Sequence, residues 1–174
     1  MEIIGYKAFY KDKTNRYGML FEEGEKYSCS GELKFGNDGN GFHFCTHLSD
    51  VFRYYSSEDC VVARVVGSGS YLAYNDEYYG YYDMYVTSEL EIKNYMTREE
   101  VISEMLGASE YDVLKFIKTF KLLPHENIMF INAFYDKTVL YENLLYYQLN
   151  VKNIFGKNDG PILRKVINNG QNNS

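Results

Sequence analysis

GNGFHFCTHLSDVFRYY, residues 39–55, reads as a strand that turns at once into a helix. Side chains alternate along a strand, so Phe42 and Phe44 point one way and His43 the other. Gly39 and Gly41 bound the strand, and NDGNG at 37–41 is a cluster of residues that tolerate positive φ, as a turn requires. Leu48, Val51, Phe52 and Tyr55 then fall at helical spacing, with Thr46 or His47 near the cap. His43 therefore either sits on a solvated face or looks into a cleft.

Residues 1 to about 93 carry the period of strands. IIGYKAFY (3–10) is rich in Ile, Tyr and Phe, and YGMLF (17–21) and KYSC (26–29) read as short strands broken by EEGE. CVVARVVG (60–67) is β-branched and reads as a buried strand, while MYVTSELEI (84–92) alternates. Near Thr97 the period changes to that of helices. Thr97 and Glu100 form a T-x-x-E capping box, and Ser109 caps EYDVLKFIKTFKLL, with Tyr111, Leu114, Ile117 and Phe120 or Leu122 on one stripe. Pro124 stops that helix or starts the next, Asp136 caps KTVLYENLLYYQL, and Pro161 opens PILRKVIN. The expected fold is α+β: a bent or split antiparallel β core over 1–95, a helical subdomain over 96–168 and a polar, disordered tail over 169–174.

The chain has 174 residues, enough for one domain with its own core, and a formal net charge of -6. That charge argues against direct nucleic-acid binding, which needs a basic field. Cys29, Cys45 and Cys60 form no CxxC pair and read as reduced thiols. The start lacks the apolar segment of a signal peptide and no apolar run reaches membrane length, so the expectation is a cytoplasmic protein with no membrane association. His43, Cys45 and His47 straddle a strand–helix boundary without a second ligand pair, so no metal is expected. Cys45 could be a nucleophile with His43 or His47 as base, or a buried thiol in an aromatic run.

The string G-x-G-F-H-F-C-x-x-x-S-D-V-x-x-Y resembles the poly(ADP-ribose) polymerase branch of the ADP-ribosyltransferase superfamily, where a glycine-bounded aromatic strand leads into a serine-bearing helix. The resemblance implies NAD as cofactor. It places His43 where an aromatic stacks on nicotinamide, Ser49 at the helix serine, and Lys7 where a first-strand Arg or His meets a ribose or phosphate oxygen. Glu89 and Glu91 in TSELEI look like the Glu-x-Glu pair of arginine-directed transferases, and residues two apart on a strand share a face. In that chemistry Glu91 holds a ribose hydroxyl and stabilises the developing oxocarbenium charge, and Glu89 orients a nucleophile. The alternative for the pair is an exposed strand face, and for Lys7 the solvent side of a first strand.

A second resemblance spans roughly residues 4–101. Gly5-Tyr6-Lys7, Gly24 and Tyr27, Gly41-Phe42-His43, Phe-x-Tyr-Tyr at 52–55, a Val-rich strand ending in Gly67, T-S-x-L-x-I at 87–92 and T-x-E-E at 97–100 look like an uncharacterised domain of phages and bacterial mobile elements. No activity of that domain carries over to this chain. The alternative to a transferase is a non-catalytic interaction protein of a phage or mobile element that binds and inhibits a host defence factor through its Tyr-rich loop and helical half.

Composition bears on that alternative. The chain has 19 Tyr, 11 Phe and no Trp. Tyrosine is amphipathic and enriched at interfaces, though a Tyr-rich core rim would give the same count. YNDEYYGYYDMY reads as a hairpin or a recognition loop, with Tyr78, Tyr79, Tyr81 and Tyr82 around Gly80 as partner-binding candidates. Asp76, Glu77 and Asp83 would steer it toward a basic host protein, such as one that itself binds nucleic acid.

Overall fold

β1 (Ile3–Tyr10), β2 (Lys26–Ser28), β3 (Phe42–Cys45), α1 (Leu48–Val51), β4 (Cys60–Tyr74) and β5 (Met84–Met96) come first in the chain. They are followed by α2 (Arg98–Leu106), α3 (Glu110–Thr119), α4 (Pro124–Phe134) and α5 (Thr138–Gln148). The computed structural model describes residues 1–36, 39–74 and 84–148. Tyr78, Tyr79, Tyr81, Tyr82 and the expected helix at PILRKVIN lie outside the described residues.

The fold is α+β, and all pairings in its five-stranded sheet are antiparallel. The order is β2-β5-β3-β1-β4, and β5 also pairs with β4, so the sheet bends round on itself. It is split on one side: β1 meets β3 at a single pair, Tyr6 with Cys45. β2 and β3 share one edge of β5 in tandem, β2 opposite Glu89–Glu91 and β3 opposite Met84–Thr87. Two bulges kink β4 against β5, between Arg64 and Val65 and between Ser68 and Tyr71.

The inner face of this bend carries the aromatic core. Phe9, Phe44, Val65, Leu90 and Ile92 are buried there, with Phe42 and Tyr95 packed against them. Phe42 and Phe44 point inward as the alternation requires. Phe44 fits only because Gly5 and Gly67 flank its ring. A Cβ at residue 67 would stand 2.5 Å from Phe44 Cε1, and one at residue 5 would stand 2.5 Å from its Cδ2.

Several local expectations need correction. YGMLF is not a strand; it makes one isolated bridge, Thr14 with Leu20. The Asn15 carboxamide oxygen accepts from the Tyr17 and Met19 amides at 2.9 and 3.0 Å, and these side-chain bonds compete with a ladder. The segment still delivers Phe21 to the core. α1 is only four residues long, because the Arg53 and Tyr54 amides turn back to the Asp50 and Val51 carbonyls. On α3 the buried stripe is Val113, Phe116, Ile117 and Phe120, with Tyr111 half exposed, so the helix is rotated from the expected stripe. α5 begins at Thr138 and the Tyr141 amide bonds the Lys137 carbonyl, so Asp136 is not its cap.

Met1–Lys121 form one compact unit and Leu122–Ser174 a second. α2 and α3 thus belong to the unit that holds the sheet. The change of periodicity at Thr97 marks a change of secondary structure, and the division of the chain follows about one helical hairpin later. The Thr97–Glu100 capping box and the Ser109 cap are both formed. In the second unit Pro124 occupies the first turn of α4, and Phe130, Phe134, Leu140 and Leu144 are buried. No strand occurs among the described residues after Met96.

Candidate functional site

The outer face of the β2–β5–β4 region carries a groove of about 250 Å³ lined by Glu2, Lys26, Ser28, Ser68, Glu89 and Glu91, among others. Strand register builds it. Lys26 lies opposite Glu91, and Ser28 and Ser68 flank Glu89 from its two sides, so these side chains rise on one face. Lys26 Nζ is 3.3 Å from Glu91 Oε2, and the Lys93 ammonium bonds the other carboxylate oxygen. Those partners, Lys93 first, hold the Glu91 carboxyl below the usual carboxylate range. Ser68 Oγ donates to Glu89 Oε2 at 2.7 Å. The groove therefore offers two carboxylates, one of them already neutralised, and hydroxyls beside the other.

Lys7 and His43 meet elsewhere. Lys7 shares the inner sheet face with Phe9, its ammonium 5.6 Å from the Phe9 ring centre. Lys7 Nζ donates to the His43 carbonyl oxygen at 2.5 Å, across the split between β1 and β3. Burial pushes the Lys7 amine down to about 8. His43 lies on the opposite sheet face, half-buried, with the Phe35 ring edge-on at 6.0 Å. Its Nδ1 is 3.3 Å from the Gly41 carbonyl, which accepts only, so Nδ1 carries the proton and Nε2 is left as an acceptor. Nε2 is buried without a hydrogen-bond partner among the described residues. Burial, then the Lys7 charge, lowers the His43 pKa and keeps the ring neutral at pH 7.

Ser49 occupies a third place. It is buried on α1 and donates to Asp112 Oδ1 of α3 at 3.0 Å. Lys115 Nζ bridges the same carboxylate at 3.1 Å and the fully buried Asp50 at 2.9 Å. His47 Nδ1 is 3.2 Å from Asp112. This cluster ties α1 to α3.

The structure thus brings Glu89 and Glu91 together in one groove and joins Lys7 to His43 through a backbone carbonyl. It does not gather the five in one cleft. Val86, which lies opposite His43, is five residues from Glu91, roughly 17 Å along β5 at strand rise. Ser68 and Lys26 were not anticipated as site residues. Neither has a motif, since each reaches the groove only through pairing with β5.

At the far end of the β4–β5 hairpin, Tyr71 is 46%, Leu72 37% and Tyr74 42% exposed. From Val65 to Ile92 the sequence holds five acids, Asp76, Glu77, Asp83, Glu89 and Glu91, and no Lys or Arg. Among the described residues no helix is long and apolar enough to cross a membrane, and no three His, Cys, Asp or Glu side chains are grouped to hold a metal ion.

Residues 3–104 match the model of a domain of unknown function, DUF7666. The chain belongs to this family. The match runs from β1 into α2, so the sheet, the Lys7–His43 contact, the β4–β5 hairpin and the groove apart from Glu2 lie within the DUF7666 domain. Asp112 and Lys115, which complete the Ser49 cluster, lie beyond it. No curated protein and no solved structure matches the chain.

Proposed function

We propose that this DUF7666 protein is a recognition module that binds a basic host protein through the β4–β5 hairpin. The observation that carries this reading is the conjunction at that hairpin: exposed Tyr71, Leu72 and Tyr74 in a 28-residue stretch with five acids and no base. Tyrosine brings large contact area at small entropic cost, and a stretch whose sequence holds acids and no base steers a basic partner toward it. A defence factor that handles nucleic acid has the required basic surface. The test replaces Tyr71, Tyr78, Tyr79, Tyr81 and Tyr82 with Ser. Cross-linked partners from a bacterial host are identified, purified and measured by calorimetry beside the melting temperature. Basic partners should bind the parent chain and lose at least tenfold in affinity with the variant at an unchanged melting temperature. Retained affinity, or a preference for acidic partners, overturns the reading.

A second reading, ADP-ribosyl transfer from NAD, is favoured by Glu89 and Glu91 sharing one groove with the Ser68 hydroxyl. A carboxylate there could hold a ribose hydroxyl while the nicotinamide bond breaks. Under it, millimolar NAD raises the melting temperature and Glu91→Gln abolishes nicotinamide release. No thermal shift and no nicotinamide release removes this reading.

A further inference from the structure

Among the described residues, β4 has one edge that is covered over only part of its length. β1 covers that edge as far as the pair Ile3 with Gly67, while β5 runs along the other side to Tyr74. From Ser68 to Ala73 no strand lies beside the first edge among the described residues. Residues 69–73 are also exposed on their faces, and the stretch Ser-Gly-Ser-Tyr-Leu-Ala contains no charge and no proline. Natural sheets usually protect such edges with lysine, proline, a covering element or a bulge, because an open ladder templates another strand, and of these the described residues here supply only a bulge. The bulge between Ser68 and Tyr71 lies at the root of this edge, and beyond it Tyr71–Ala73 pair regularly with Thr87–Tyr85. The slot beside β4 begins where β1 ends, and at that point Glu2, Ser68 and Glu89 line the acidic groove.

We infer that the edge Ser68–Ala73 accepts an added β-strand from the basic partner, with a Lys or Arg of that strand seated in the Glu2–Glu89 groove. The inference rests on the recognition reading above and specifies its mode. Main-chain bonds to β4 supply affinity, and alternate side chains lie over Tyr71 or Leu72. A strand in the slot stands about 4.8 Å from β4 and so about 10 Å from β5, a span that a long Lys or Arg side chain and the Glu89 side chain bridge together across Ser68. A second copy of this chain is the poorer occupant: its own open edge brings no cation to the groove, since residues 65–92 contain none.

The test uses the full chain and three labelled ten-residue peptides of alternating Val and Thr. One ends in two Arg, one is the same with alternate backbone amides N-methylated, and one ends in two Glu. Anisotropy should show the Arg peptide binding, with at least tenfold weaker binding of the other two. Glu89→Gln should cost at least threefold, and hydrogen exchange at 68–73 should slow with the Arg peptide bound. Equal binding of the N-methylated peptide overturns strand addition while leaving a basic partner in place. No peptide binding, with purified partners still bound in a tyrosine-dependent way, also overturns it and spares the recognition reading. Dimerisation that protects 68–73 assigns the edge to a second copy and overturns it too.

Discussion

Gly67→Ala tests whether Phe44 is seated as the structure shows. The new methyl would stand 2.5 Å from Phe44 Cε1, 2.6 Å from Cζ and 2.8 Å from Thr87 Cγ2. Phe44 is 2% exposed, so the ring has no room to swing outward. Overpacking of this kind costs about 1–3 kcal/mol. The reduced freedom of the unfolded chain returns about 0.5 kcal/mol, since the backbone at Gly67 is not left-handed. The net loss should be about 1–2 kcal/mol, or roughly 0.5–1 M off the urea midpoint at the slope typical of a domain this size. Phe44→Leu alone should also destabilise, by about 2 kcal/mol, through lost apolar burial. In the double variant the smaller side chain makes room for the methyl, so the combined loss should fall short of the sum by about 1 kcal/mol or more. The assay is urea unfolding followed by circular dichroism on the four proteins of the cycle. An unchanged midpoint in Gly67→Ala would refute the contact, as would losses that simply add.

Three further outcomes follow from charge and capping. Lys7 has a folded pKa of about 8 against 10.5 for the free side chain, so the unfolded chain binds more protons between those values and stability gains with rising pH there. The gain is about 1 kcal/mol or more in total for a half-buried amine. Cys45, Cys60 and Tyr6 are pushed up to about 12, 11 and 12 and act the opposite way above pH 9, so the difference between parent and Lys7→Met is the quantity to read. The advantage of Lys7→Met should shrink between pH 8 and 10, and parallel curves would exclude the buried ammonium. Lys115→Met should cost about 3 kcal/mol at pH 7 by leaving Asp50 buried and uncompensated. Burial already raises the Asp50 pKa, so that loss should shrink as acid protonates the carboxyl, and a loss growing in acid would contradict the assignment. Thr97→Ala should cost about 1 kcal/mol by opening the capping box at α2, and a change under about 0.3 kcal/mol would mean the box is not formed in solution.

Much of the architecture was legible in the sequence where the signal is local. The strand period of 3–10, 42–45, 60–67 and 84–92, Phe42 and Phe44 on one face with His43 on the other, the caps at Thr97 and Ser109 and a helix boundary at Pro124 all depend on neighbours within about four residues. Strand alternation likewise put Glu89 and Glu91 on one face. What only the tertiary structure decided depends on partners far apart in the chain. Lys26 meets Glu91, Ser49 meets Asp112 and Lys7 turns inward to the His43 carbonyl because β2 and β3 dock in tandem on one edge of β5 and β1 closes the bend. The three-residue β2 has too few side chains to announce its partner, and the rotation of α3 follows the packing of Phe116 and Phe120 on Phe52, not the periodicity of α3 alone. The open edge of β4 is likewise invisible in the sequence, for a strand carries no mark of where its neighbour ends.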